Sequence, residues 1–98
     1  MEHSLTLIDK LVMQGYEHHQ KGMLSEAKVL YEQVLKIQPD NFSALQLIAT
    51  LYAQTNNPSQ AIDFFSKAIC INPNFAPCHS NHGNALKELG RYSEAIWV

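Results

Sequence analysis

Charge is sparse and of neither sign in excess. Only 16% of the 98 residues are charged, and seven Lys and Arg stand against nine Asp and Glu, for a formal net charge of −2. A nucleic-acid surface needs clustered basic side chains to displace counterions from phosphates, and the scattered cations here form no stripe. Long hydrophobic runs are missing as well. Nothing approaches the roughly 18 consecutive apolar residues of a membrane span, so neither nucleic acid nor membrane is expected as a partner. Cysteine is limited to Cys70 and Cys78, too few for a disulfide framework. The opening MEHSLTLIDK has an acid at position 2 and no basic leader, so it does not read as a secretory signal. A reducing, cytoplasmic setting is the expectation. Also absent are a Gly-rich phosphate loop, a Gly-flanked nucleophile and an acidic pair away from surface-like positions. No catalysis and no cofactor are therefore expected of this chain.

What is present is a 46% hydrophobic composition, which suits one globular domain over residues 1–98. A chain of this length buries about 60–65% of its unfolded surface. The few glycines and prolines are ordered along it. Gly15 and Gly83 are two periods of 34 apart, as are Gly22 and Gly90, and Pro39 and Pro73 are one period apart. The triplet Ser25-Glu26-Ala27 returns as Ser59-Gln60-Ala61 and again as Ser93-Glu94-Ala95, each after 34 residues. Leu11 with Leu45 and Ile37 with Ile71 keep the same step. Many positions agreeing on one ungapped period make an internal repeat.

Each period reads as two helices. Ala27, Leu30, Tyr31, Val34 and Leu35 form an amphipathic stripe. Pro39 then disfavours helix in the residue before it. The second copy repeats the plan with Leu45, Ile48 and Tyr52, a turn at Asn56-Asn57-Pro58, then Ala61, Phe64, Phe65, Ala68 and Ile69. Ser25, Ser59 and Ser93 stand where a hydroxyl is expected to cap the second helix, and Glu26 and Glu94 suit its positive end. Gly15, Ala49 and Gly83 lie midway along the first helices, and Ala27, Ala61 and Ala95 lie early on the second. These small residues let the two helices approach while Tyr31 or Phe65 fills the space beside them. A bulkier residue there would overpack the contact by about 1–3 kcal/mol.

A 34-residue helix–turn–helix with small residues in these slots and a closing proline resembles the tetratricopeptide repeat. The resemblance implies an all-α, right-handed α-hairpin solenoid with copies at 8–41 and 42–75 and a partial copy at 76–98. Its large first-helix slot falls on Leu11, Leu45 and His79, and its glycine slot on Gly15, Ala49 and Gly83. The first-helix aromatic slot holds His18, Tyr52 and Leu86, and the second-helix aromatic slot holds Tyr31 and Phe65. His18 and Leu86 depart from an aromatic, and Gln14 and His82 from an apolar residue. The third copy, NHGNALKELGRYSEA, is also similar to the repeats attached to O-linked N-acetylglucosaminyltransferases, with Asn81 in their asparagine-ladder slot. Met13 and Leu47 hold that slot in the other copies.

The resemblance places the first helix of each pair along a concave groove. From the first copy it puts Tyr16, His19 and Gln20 there, from the second Gln46, Thr50 and Gln54, and from the third Asn81, Asn84 and Lys87. Val12, Met13, Ser43, Leu47, Ser80 and Glu88 lie on the same strip. This set is neutral and rich in amides, which donate and accept at once and suit an extended peptide backbone. The cationic clamp that holds a peptide's terminal carboxylate in some members is disfavoured, because Val12 and Tyr16 fill its first-copy positions. The leading expectation is a non-catalytic protein-interaction module for a peptide or partner segment. The alternatives are the substrate-presenting N-terminal portion of a larger glycosyltransferase, and a scaffold that forms homo-oligomers through residues 76–98.

Two smaller clusters complete the reading. His79 and His82 share a helix face near Cys78, with Cys70 eight residues before it, a spacing compatible with zinc. Both histidines occupy core-facing slots and a fourth ligand is not evident, so packing is expected and metal is not. A disulfide between the cysteines is geometrically conceivable but poorly motivated in a cytoplasmic chain. His18 is expected in the packing stripe and His19 outward. Beyond Gly90 the segment RYSEAIWV reads as the start of a second helix that stops early. Residues 92–98 are thus expected to fray unless another chain covers them.

Overall fold

Local chemistry sets the helix limits, not always through the residues expected to do it. The computed structural model describes the backbone of residues 6–97 and the side chains of residues 6–90. The helices are α1 (Leu7–Gln20), α2 (Leu24–Ile37), α3 (Phe42–Gln54), α4 (Pro58–Ile71) and α5 (Ala76–Trp97), and no strand occurs among the described residues. At α1, Asp9 N–H donates to Thr6 Oγ1 at 3.1 Å while Thr6 N–H donates to the Asp9 carboxylate at 3.2 Å, a reciprocal cap. At α3, Ala44 N–H donates to Asn41 Oδ1 at 2.9 Å. The serines do not play this part. Met23 and Asn57 precede α2 and α4, neither with a side-chain cap, and Ser25 and Ser59 already lie inside the first turn. A capping oxygen must sit before the first helical residue to reach the free amides, and each serine stands two positions past that point, so it misses them. Ser93 lies outside the described side chains.

The turns follow the repeat only twice. Gly22 has φ 81° and Asn56, 34 residues on, has φ 60°, the left-handed geometry that reverses the chain between helices. Gly90, a further 34 residues on, lies inside α5, which runs unbroken from Ala76 to Trp97. The expected turn at Gly90 is therefore not there. One glycine costs a helix only about 1 kcal/mol and does not break it without that left-handed conformation. What was expected of the side chains of residues 92–98 lies outside the described residues.

Consecutive helices pack on one another, and α3 also touches α1 and α5. The backbones of α2 and α4 do not make contact, so α1, α3 and α5 form the inner row of an elongated solenoid of 60 × 29 × 21 Å. Ala27, Tyr31, Ile48 and Leu51 form one buried cluster. Leu45, Ala49, Ala61, Phe65, Ala68, Cys78 and Ala85 form the other. Leu35, Tyr52 and Phe64 border both, so the interface is continuous. Tyr31 and Phe65 are fully buried, each contributing about 1.5–3 kcal/mol from removing apolar surface from water. A Cβ at Gly15 would lie 2.6 Å from Tyr31 Cε1, which is why the first hairpin closes on glycine.

The histidines depart from the expected packing. His79 is exposed, its Nε2–H donating to the Pro73 carbonyl at 2.6 Å, and Cys78 is the fully buried residue instead. The reason is coverage: α5 packs chiefly on α4, so only the face carrying Cys78 and Ala85 is enclosed. His82 is half-buried beside Phe65, with ring centroids 6.5 Å apart, and lies 3.4 Å from Ser66 Oγ. His18 is half-buried with Nδ1 enclosed and without a hydrogen-bond partner.

Candidate partner-binding groove

Four of the expected groove residues meet on one cavity. Thr50 and Gln54 from α3 and Asn81 and Asn84 from α5 line a space of about 460 Å³ over Ala53, Phe65 and Ala85, with Asn56, Pro58 and Glu88 at its margin. Their spacing explains the convergence. Residues 50 and 54 are one helical turn apart, as are 81 and 84–85, and α3 and α5 touch along this edge. Thr50 is partly committed, its hydroxyl donating to the Gln46 carbonyl at 2.8 Å. The cavity therefore presents amides on two walls and an apolar base.

Tyr16 and Gln20 lie elsewhere, on a hollow of about 380 Å³ along α1 that Lys10, Met13, Gln14 and Glu17 complete. Gln46 is half-buried and Lys87 exposed, and neither lines either space. A third hollow, about 610 Å³, opens on the outer side between α2 and α4, over Ile48 and Phe64. None of its lining residues belongs to the expected groove strip. Next to it, Tyr52 and Phe64 stack with centroids 5.7 Å apart, and Lys28 and Lys67 cover their faces at 5.4 and 5.3 Å.

His19 does not point outward. Its Nδ1 lies 2.9 Å from the Tyr31 hydroxyl and its Nε2 lies 2.7 Å from Gln54 Oε1. A carbonyl oxygen can only accept, so Nε2–H donates to Gln54 and Nδ1 accepts from the Tyr31 O–H. Burial, with Tyr16 nearby adding to it, pushes the Tyr31 pKa up to about 12, so the hydroxyl keeps the proton it donates. His19 thus ties α1, α2 and α3 together and steers the Gln54 amide at the cavity wall. The tyrosine hydroxyl was the missed signal: a phenol in an otherwise apolar slot calls for a buried partner.

Among the described residues no three His, Cys, Asp or Glu side chains converge as metal ligands. Cys70 is exposed and Cys78 buried, both as free thiols, and burial pushes the Cys78 thiol up. No helix of the described residues is long and apolar enough to cross a membrane.

A solenoid of α-hairpins with an amide-lined inner row is the architecture of a repeat-built protein-interaction module. The tetratricopeptide repeat model matches residues 18–66, and the chain belongs to that family. It is 38% identical over 90% of its length to a UDP-N-acetylglucosamine–peptide N-acetylglucosaminyltransferase of Caenorhabditis elegans, covering 8% of that enzyme. It is 29% identical over 89% of its length to a photosystem I assembly protein of Prochlorococcus marinus, of which it covers 56%. The structure of a MamA mutant superposes with a TM-score of 0.80 at 27% identity, over 93% of this chain and 53% of that one. The chain thus spans from under a tenth to about half the length of these relatives.

Proposed function

We propose that the chain is a non-catalytic adaptor whose units at 8–41, 42–75 and 76–98 act as one domain and hold an extended partner segment along α1, α3 and α5. The observation that carries this reading is the meeting of Thr50, Gln54, Asn81 and Asn84 on one cavity of about 460 Å³. That volume lies in the range of specific ligand sites. Amide side chains on facing walls can pair with both the N–H and the C=O of a passing backbone. In this reading Tyr16, Gln20 and Gln46 extend the track, His19 acts through Gln54, and Lys87 supplies the charge beside it. The test is quantitative capture of partner proteins by the intact chain and by a Thr50→Ala/Asn81→Ala/Asn84→Ala variant of verified helicity. At least about tenfold weaker capture is expected from losing several groove hydrogen bonds. Equal capture of the same partners would sink the reading.

The 38% identity to the Caenorhabditis elegans enzyme supports a second reading, in which the chain presents substrates to a larger glycosyltransferase. A longer natural reading frame encoding a sugar-nucleotide-binding domain is its expected outcome, and a frame without one overturns it.

A further inference from the structure

The donor face of the cavity between α3 and α5 is set by a residue that does not line it. Tyr31 is fully buried, and His19 Nδ1, 2.9 Å away, is the one hydrogen-bond partner of its hydroxyl among the described residues. A buried phenol pays the full cost of desolvation unless its proton finds an acceptor, so the hydroxyl donates, Nδ1 accepts, and the imidazole proton stands on Nε2. That proton goes to Gln54 Oε1 at 2.7 Å, which turns the Gln54 amide one way round. Its oxygen is occupied, and its NH2 group has no hydrogen-bond partner among the described residues. Gln54 lines the cavity of about 460 Å³, and the space is there because Ala53, 34 residues after His19, brings no ring to fill it. From this we infer that the cavity seats a glutamine side chain of the bound segment, with its carbonyl oxygen on the Gln54 NH2 group and its own NH2 group on the asparagines of α5. His19 is the positioning residue that fixes this polarity. The inference rests on the groove reading and names the residue that the groove selects.

The chemistry at each contact follows from the lining. Ala53, Phe65 and Ala85 give an apolar base for the methylenes of the incoming stem. On the facing wall Asn81 and Asn84 have side-chain amides with no hydrogen bond among the described residues. Their oxygens accept from the incoming NH2 group while Gln54 donates to its oxygen, so both halves of the planar amide are paired. Side chains of similar size each fail at one point. A glutamate oxygen accepts from Gln54, but among the described residues no Lys, Arg or His side chain lines the cavity to offset its charge. A leucine covers the base and leaves the amides of both walls shut off from water without partners.

The test uses the 98-residue chain. Two-dimensional NMR follows titration with propionamide, a stand-in for the glutamine side chain alone, and with three capped pentapeptides carrying glutamine, glutamate or leucine between serines and glycines. Saturable shifts are expected at Thr50, Ala53 and Ala85 and at the side-chain NH2 resonances of Gln54. The glutamine peptide is expected to bind at least about tenfold tighter than either of the others, and Gln54→Met should cut that advantage by about threefold or more. The His19 ring is read separately by long-range proton–nitrogen correlation at about pH 8, above the ordinary imidazole pKa. Nδ1 is expected bare and Nε2 protonated in the parent, with that preference weakened in Tyr31→Phe. Propionamide shifts at these residues with no binding of any peptide would uphold the seat and overturn the groove reading. Equal binding of the three peptides would uphold the groove and overturn the glutamine seat. An unchanged advantage in Gln54→Met, or a protonated Nδ1 with bare Nε2 in the parent, would overturn the assignment of Gln54 as the preset donor. No shift at these residues from any of the four probes would overturn seat and groove together.

Discussion

The hairpins α1–α2 and α3–α4 share one 34-residue plan and close in different ways. The first closes on Gly15, with Tyr31 seated where a Cβ would stand and its hydroxyl engaged by His19. The second closes on Ala49 and Phe65, without a hydroxyl to satisfy. Only Gly15 of α1 is buried, whereas α3 buries Ala44, Leu45, Ile48, Ala49 and Leu51. The difference follows from neighbours: α3 packs between α2 and α4, and α1 rests on α2 and touches α3. A repeat unit with packing on both sides can be held by apolar burial alone. One with less of it gains from a directional polar bridge, and the same exchange that removes the bridge from the second unit leaves the groove cavity there.

The sharpest way to break the comparison is to empty each closing slot. Phe65→Ala removes a fully buried ring from the larger cluster and should cost about 3–5 kcal/mol, read as a drop in urea midpoint. If it costs less than Tyr31→Ala, the second hairpin is not the better packed. Gly15→Ala comes next. Its Cβ would stand 2.6 and 2.9 Å from two carbons of the buried Tyr31 ring, so a loss of about 1–3 kcal/mol is expected despite the better helix propensity of alanine. A stabilised Gly15→Ala protein would show that the ring moves aside freely.

Tyr31→Phe is smaller and more specific, because it turns the first slot into the second while keeping the ring. Loss of the 2.9 Å bond to His19 should cost about 0.5–1.5 kcal/mol at neutral pH. The sign of the alkaline effect is fixed. The folded-state pKa is raised from 10.0 to about 12, so the folded form holds the phenol proton more tightly than the unfolded chain. That contribution is complete below pH 10 and is lost as pH rises toward 12. The difference in stability between the parent and Tyr31→Phe should therefore narrow across that window. A constant difference would mean that the hydroxyl is not buried with its proton.

Much of this was legible in the sequence because periodicity is a collective signal. The apolar stripes, Pro39 and Pro73 mark the helices well enough that a solenoid follows. Single side chains were less legible. His79 sits in a slot that is buried at Leu45, yet it is exposed, because burial at a repeat position depends on the neighbour supplied by another unit. Ser25 and Ser59 have the chemistry of caps but lie two residues past the cap position, inside the helix. Gly90 repeats Gly22 in identity and not in conformation. His19 is expected to point outward, yet it is bonded to Tyr31 and Gln54, and those bonds depend on where two other helices end up, which no spacing within one helix reveals.

The smallest predicted effect carries the opposite sign to the glycine exchange in the first hairpin. Gly83 occupies the slot of Gly15 two repeats later, but a Cβ there meets nothing within 4 Å. In mid-helix, with no ring to displace, Gly83→Ala should stabilise the protein by about 0.5–1 kcal/mol, chiefly by lowering the entropy of the unfolded chain. The same variant examines the face that α5 turns away from α4, where Leu86 is 48% exposed. If a second copy covers that face, the notch at Gly83 would be filled by its side chains as Tyr31 fills the notch at Gly15. Alanine would then destabilise, and the midpoint would rise with protein concentration in the parent and not in the variant. A concentration-independent gain in stability places Gly83 on an open surface. A concentration-dependent loss makes it the contact of a homo-oligomer.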